Sequence, residues 1–141
     1  MVDGSNVAWH GLSKPSKGQL IICYNDLKEL YGFDRVYILI GPGLRHKMGL
    51  EEYDKMLRWF DKESALIGLR ILHEAPDGAY DDHFTISFAI HEDLLMSTND
   101  KYRDSTTGNL NLAYEIGSRL VRYVFMKDHL WMGQWPSYWS E

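Results

Sequence analysis

One cysteine in 141 residues excludes an internal disulfide and any metal site built from several thiolates. Cys23 sits beside Leu20, Ile21 and Ile22, a setting that suits a buried, unreactive thiol. No apolar run reaches the ~20 residues that span a bilayer, and no charged leader precedes a ~7–15-residue apolar stretch. The expectation is a cytoplasmic protein with no membrane partner. Basic residues are outnumbered, 15 against 20, for a net charge of −5. That balance excludes broad electrostatic attraction to nucleic acid or anionic lipid, and leaves room only for a local basic patch. Neither Gly-x-Gly-x-x-Gly nor a Gly-Lys-Ser/Thr phosphate loop occurs, so the common nucleotide-cofactor motifs are missing. The histidines (His10, His46, His73, His83, His91, His129) are scattered and present no ligand pair at short helical spacing. His10 alone stands close enough to the opening segment to merit a test. Repeats, low-complexity segments and interdomain linkers are also lacking, so a single domain over residues 1–141 is expected, with 128–141 as an aromatic extension.

What is present is alternation. With 45% hydrophobic residues the chain can bury a sizeable core. Met1-Val2 runs into Asp3-Gly4-Ser5-Asn6, which reads as the end of a buried strand breaking into a turn. Only two residues precede Asp3, so this strand is expected to be short. Gly11 to Gly18 reads as a surface loop. Gln19 to Tyr31 carries Leu20, Cys23, Tyr24, Leu27 and Leu30 at helical spacing, with Gly32 as its stop. Arg35 to Ile40 is a continuous β-branched and aromatic run closed by Gly41-Pro42-Gly43, as in a strand buried on both faces. Leu50, Tyr53, Leu57 and Phe60 resume helical spacing, ending before Gly68, and Leu69 to His73 forms a third strand. Asp81 to His91 fits a helix better than a strand, because Leu94 to Ser97 then reads as a strand needing a crossover. Asn109 to Leu120 is a further helix and Val121 to Met126 a fifth strand. Alternating strands and helices predict a parallel sheet with helices on both faces, joined by right-handed crossovers.

The acids follow the strands. Asp3 closes the first, Asp81 and Asp82 follow the third, and Asp100 and Asp104 follow the fourth. All five fall at the carboxyl edge of the predicted sheet, where open α/β sheets bind ligands. In the common doubly wound order strands one and four are neighbours, which brings Asp3 beside Asp100. Clustered carboxylates repel one another and call for a cation, and oxygen-only ligands select hard Mg²⁺ or Mn²⁺ over zinc. Individually each acid has a plainer use: Asp81 or Asp82 as a helix cap, Asp104 as a solvated turn residue.

Three segments carry a resemblance: Val2-Asp3-Gly4-Ser5-Asn6-Val7-Ala8, Tyr80-Asp81-Asp82-His83-Phe84 and Thr98-Asn99-Asp100-Lys101-Tyr102-Arg103-Asp104. Their residues, order and spacing resemble the signature segments of the NYN ribonuclease domain of the Regnase CCCH zinc-finger family, within the PIN-like nucleases, over Val2 to about Lys127. The resemblance implies a PIN-like three-layer α/β/α fold with a central parallel sheet in the order 3-2-1-4-5. It implies a Mg²⁺- or Mn²⁺-dependent endoribonuclease that leaves 5′-phosphate and 3′-hydroxyl ends. Asp3, Asp82, Asp100 and Asp104 become the metal-binding and catalytic carboxylates, with Asp81 adjacent and Asn6 and Thr98 in support. The CCCH finger itself is not encoded in these residues. Where the family has an arginine- and lysine-rich loop, this chain has Glu74-Ala75-Pro76-Asp77-Gly78-Ala79, so RNA capture is expected to be modest.

Candidate contacts to RNA phosphate are Lys14, Lys17, Arg45, His46, Lys47, Lys101 and Arg103, each in a loop near the predicted edge, with Thr98 also facing the substrate. Arg103 can equally orient Asp100 or Asp104. Trp131, Trp135 and Trp139 recur every fourth residue, but Gly133 and Pro136 interrupt any helix. Packing against the domain, base stacking and a contact between copies in a homo-oligomer are the uses open to them. The expected substrate is RNA, single-stranded or in a loop. The rival readings are a non-cleaving RNA-binding module of the same fold, and a structure-specific DNA nuclease with the same carboxylates.

Overall fold

The strand-forming segments pair in the order β3-β2-β1-β4-β5, all parallel, in a computed structural model that describes residues 1–76, 81–126 and 128–134. The strands are β1 (Val2–Asp3), β2 (Ile38–Ile40), β3 (Leu72–Glu74), β4 (Met96–Ser97) and β5 (Leu120–Val121). Central β1 is fixed on both sides, because Val2 lies opposite Ile38 of β2 and Ser97 of β4. This is the PIN-like sheet order expected from the resemblance.

Period-two alternation splits the core into two layers. Val2, Ile38 and Ile40 pack with Leu20, Cys23, Tyr24 and Leu27 of α2 (Lys17–Glu29) and Tyr53, Met56 and Phe60 of α4 (Leu50–Ile67). Tyr37, Leu39 and Met96 point the other way, to Ile86 and Ala89 of α5 (Asp81–His91) and Ile116 of α7 (Leu110–Gly117). Helices therefore cover both faces. Cys23 is fully buried and burial pushes its thiol up to about 12, so it is inert as expected. No helix among the described residues is long and apolar enough to cross a membrane.

Three local expectations are corrected. The opening Gly-Ser-Asn is not a turn but the first turn of α1 (Gly4–Trp9), because Asp3 caps it by accepting from the Asn6 amide. Gly4 is required there: a Cβ would meet the Leu39 carbonyl oxygen at 2.7 Å and Ile40 Cγ2 at 2.8 Å, so only glycine lets α1 start directly on β2. Arg45, His46 and Lys47 lie on a short helix, α3 (Leu44–Met48), because Leu44 and Met48, one turn apart, are both buried. Helix α4 ends at Ile67, before Gly68 as expected, and Gly68 takes the left-handed cap conformation.

The third correction concerns the fifth strand. It ends at Val121, and β6 (Tyr123–Met126) pairs instead with β7 (His129–Met132) as an antiparallel hairpin. The cause is Asn99, whose side-chain amide donates to the Tyr123 carbonyl and accepts from the Tyr123 N–H, both at 3.1 Å. With these backbone groups engaged, Tyr123 leaves the parallel ladder. In β7, Leu130 packs into the core while Trp131 is half exposed, its indole N–H donating to the Met126 carbonyl at 3.3 Å. Trp135 and Trp139 lie outside the described residues.

Candidate active site at the carboxyl edge of the sheet

Residue Asp3 ends β1 and begins α1, so its carboxylate is held at the strand end rather than in a loop. Oδ2 accepts from the Tyr102 hydroxyl at 2.6 Å and the Thr98 hydroxyl at 2.9 Å, while Oδ1 accepts from the Asn6 amide at 3.4 Å. Burial raises the Asp3 pKa, and the donors from Tyr102, Thr98 and Asn6 offset part of that rise. The Tyr102 hydroxyl is itself pushed up, chiefly by burial and then by the Asp3 charge, so it remains a protonated donor.

Tyr102 also fixes the second acid. Its backbone N–H donates to Asp100 Oδ1 at 2.7 Å, and the Asp100 N–H donates to the Thr98 hydroxyl at 3.1 Å. Tyr102 adopts φ 53°, a left-handed conformation that an aromatic residue takes only when its surroundings impose it. One buried tyrosine thus joins acids carried by β1 and by the loop after β4. Asp82, in the first turn of α5, accepts from the Ser105 hydroxyl at 2.9 Å.

A second network runs beside the first. Asn6 Oδ1 accepts from the Tyr123 hydroxyl at 2.7 Å and from the Asn99 N–H at 3.1 Å. Burial raises the Tyr123 pKa, with the Asp3 charge adding to it, so this phenol too is a neutral donor. Ser5 accepts from the Gly41 N–H at 2.9 Å, tying the end of β2 to α1. His10 lies against Tyr123, ring centroids 5.0 Å apart.

A cavity of roughly 190 Å³ opens where these elements meet, lined by Asp3, Asn6, Asp82 and Asp100 among others. An adjoining depression is lined by Asp82, Asp100, Lys101, Arg103 and Asp104, which places Asp104 at the rim. Among the described residues none of Asp3, Asp82, Asp100 and Asp104 forms an ion pair. Thr98 lies beneath the acids, buried, with its hydroxyl spent on them. Lys14, Lys17 and Arg45 line neither opening, and Lys17 pairs with Glu52 at 3.5 Å. The side chain of Asp81 and all of Tyr80 lie outside the described residues.

The donor set is oxygen only, which suits a hard divalent cation. Among the described residues no three acids, histidines or cysteines are disposed to hold one ion together. Each acid is instead turned toward its own hydroxyl or amide donor: Asp3 to Tyr102 and Thr98, Asp82 to Ser105, Asp100 to the Tyr102 amide. Tyr102, Asn99 and Ser105 were not singled out by sequence reasoning although they stand in or beside the third segment. Tyr123 gave no signal at all, since its link to Asn6 spans 117 positions.

Comparison with known proteins fits this arrangement. The family model described as "Zc3h12a-like Ribonuclease NYN domain" matches residues 1–136. No curated protein sequence shows significant similarity. Among solved structures, two of the nuclear proteinaceous RNase P 2 (PRORP2) of A. thaliana superpose with TM-scores of 0.72 and 0.71 at 21% identity. They cover 94% and 95% of this chain, which in turn spans 29% of each of theirs. At that identity the likeness speaks for the fold.

Proposed function

Because the chain belongs to the Zc3h12a-like ribonuclease NYN domain family, we propose that it is a metal-dependent endoribonuclease that hydrolyses phosphodiester bonds of single-stranded or looped RNA. The observation that carries this reading is the set of carboxylates without a counter-cation, Asp3, Asp82 and Asp100, around one cavity at the sheet's carboxyl edge. Such acids cost stability unless a ligand neutralises them. Asp3, Asp82 and Asp100 line that cavity but are turned to separate donors, so they would turn toward one another to hold Mg²⁺ or Mn²⁺, with Asp104 at the rim and Asp81 as a further ligand from the sequence pattern. When bound, the cation supplies Lewis-acid polarisation of a phosphoryl oxygen and lowers the pKa of a water molecule.

The chain's own residues supply position. Thr98 and Tyr102 hold Asp3 by one oxygen and leave the other with only a long 3.4 Å bond from the Asn6 amide. Asn6, fixed by Tyr123 and Asn99, keeps the start of α1 in register with the loop that bears Asp100. Lys101 and Arg103, exposed beside Asp100, are the cations closest in sequence to the reacting edge and serve the substrate phosphate.

The test is incubation of the pure protein with labelled single-stranded RNA and DNA of one sequence, with Mg²⁺, Mn²⁺ or EDTA. Internal cuts in RNA with either metal and none in EDTA are expected. Cuts that persist in EDTA would sink the metal mechanism. RNA retained without any cut would leave the non-cleaving module, and cutting of DNA alone would turn the reading to a DNA nuclease.

A further inference from the structure

A groove of roughly 390 Å³ leads away from the acids between the loop after β4, α6 (Arg103–Thr106), α7 and the end of β5. It shares Asp100 with the cavity, and its rim carries Lys101, Arg103 and Arg122. All three side chains are exposed, and among the described residues none forms an ion pair. This sets them apart from Lys17, Lys55 and Arg119, which have acidic partners. Most of the chain's other described lysines and arginines also lack an acidic partner; what distinguishes these three, in a chain of net charge −5, is that they line one groove that shares Asp100 with the acidic cavity.

Arg122 is the informative member. It stands where β5 ends and β6 begins, and its backbone is pinned on both sides. Its carbonyl accepts from the Gly133 N–H at 2.7 Å, and Tyr123 next to it is clasped by the Asn99 side chain. Asn99 immediately precedes Asp100, and the Tyr123 hydroxyl reaches Asn6. The break in the fifth strand therefore locks Arg122 to the same loop that carries the site. The groove floor is small and apolar, from Ala113, Gly117 and Leu120, which leaves room for a sugar beneath a phosphate held at the rim.

We propose that Arg122, with Lys101 and Arg103, forms a phosphate subsite for the RNA strand next to the bond that is cut. It takes one backbone phosphate of the flanking nucleotide, without base preference, and sets how the strand enters the acidic cavity. The inference rests on the nucleic-acid reading of the site, and it assigns to Arg122 a role that the signature segments do not contain.

Binding and cleavage separate the two. Binding of fluorescent single-stranded RNA is measured in EDTA over a range of salt for the parent, Arg122→Ala, Arg122→Lys and Gly117→Glu. A Cβ at Gly117 would meet nothing within 4 Å, so Gly117→Glu has open space at its first atom and brings a negative charge to the groove. Arg122→Ala is expected to raise Kd about fivefold and to lower the slope of log K against log salt by about 1. Arg122→Lys should restore the slope, and Gly117→Glu should weaken binding at least as much as Arg122→Ala. In RNAs with single methylphosphonate linkages, one neutralised position should weaken the parent and leave Arg122→Ala unchanged. Thermal melts should match the parent throughout.

If Arg122→Ala and Gly117→Glu both keep the parent's Kd and slope, or if the parent does not bind RNA, the subsite is overturned. A parent that cuts RNA with Mg²⁺ while its binding ignores Arg122 loses the subsite and keeps the nuclease. A parent whose binding depends on Arg122 but which never cuts keeps the subsite and loses the nuclease.

Discussion

Acids gather at both ends of the parallel sheet, and the two gatherings are built differently. At the amino end, Asp93 and Glu115 flank Arg119, whose side chain is only 7% exposed and pairs with Asp93 at 2.9 Å. The same guanidinium donates to the Leu94 carbonyl, so it also closes the start of β4. There a cation sits between the acids, and the guanidinium nitrogens each have an acceptor. At the carboxyl end, Asp3, Asp82 and Asp100 face hydroxyls and amides, and no cation of the described residues pairs with them. Neutral donors orient a carboxylate without discharging it. The first arrangement stabilises the fold by itself; on the proposed reading the second is completed by a bound cation.

The largest effect that would break this contrast is on cleavage. Asp3→Asn or Asp100→Asn should each lower the Mg²⁺-dependent rate by roughly 10²-fold or more, since outer partners of metal ligands alone are worth 10–100-fold. Glu115→Gln, at the other end, should leave the rate within about twofold, as surface substitutions remote from a site do. Steady-state cleavage of one labelled RNA measures all three. Equal losses at both ends would show that the difference between the two groups is only structural.

Next in size is a stability effect with the opposite distribution. Arg119→Met should cost roughly 1–3 kcal/mol in urea unfolding, because the Leu94 carbonyl loses a charged donor and two acids lose their partner. Cleavage by the folded fraction should not change. A variant as stable as the parent would mean that the amino-end group contributes nothing, and a folded variant that no longer cuts would tie that group to the site.

How much of this was legible in the sequence differs between the two ends as well. Sheet order, the helix at Asp81–His91 and the placement of Asp3 and Asp100 on adjacent strands could be read from apolar runs and from acids at their ends. The hydrogen bonds that hold those acids could not. Tyr102 looks like any buried aromatic until the fold brings its hydroxyl 99 positions back to Asp3. The fifth strand differs for the same reason, because Val121 to Met126 is a nearly continuous β-branched and aromatic run and only the distant Asn99 side chain diverts Tyr123 from the ladder. The loop reading of residues 44–48 failed locally, since Gly41-Pro42-Gly43 masks a helix of a single buried pair. Lys14, Lys17 and Arg45 were chosen by sequence position near strand ends, and lateral distance along the edge is invisible to that criterion.

The smallest expected effect tests the contrast most directly, because it needs no substrate. Burial raises the folded-state pKa of Asp3, so its charge destabilises the metal-free protein. That penalty is absent below the unfolded pKa of about 3.9, grows as pH rises through the folded value, and is complete above it. At pH 7 in EDTA, Asp3→Asn should therefore melt higher than the parent, by about 1 kcal/mol or less, and the gap should close as pH falls. The substitution keeps an oxygen for the Tyr102 and Thr98 hydroxyls, and loses only the 3.4 Å bond from the Asn6 amide. Added Mg²⁺ should reverse the order, since the ion stabilises the parent in proportion to its affinity for the native site and has less to bind in the variant. Asp93→Asn gives the opposite sign in EDTA, because it removes a charge from an ion pair with Arg119 and relieves nothing. An Asp3→Asn protein that melts below the parent at every pH, with an unchanged response to Mg²⁺, would place Asp3 with the structural acids of the other end.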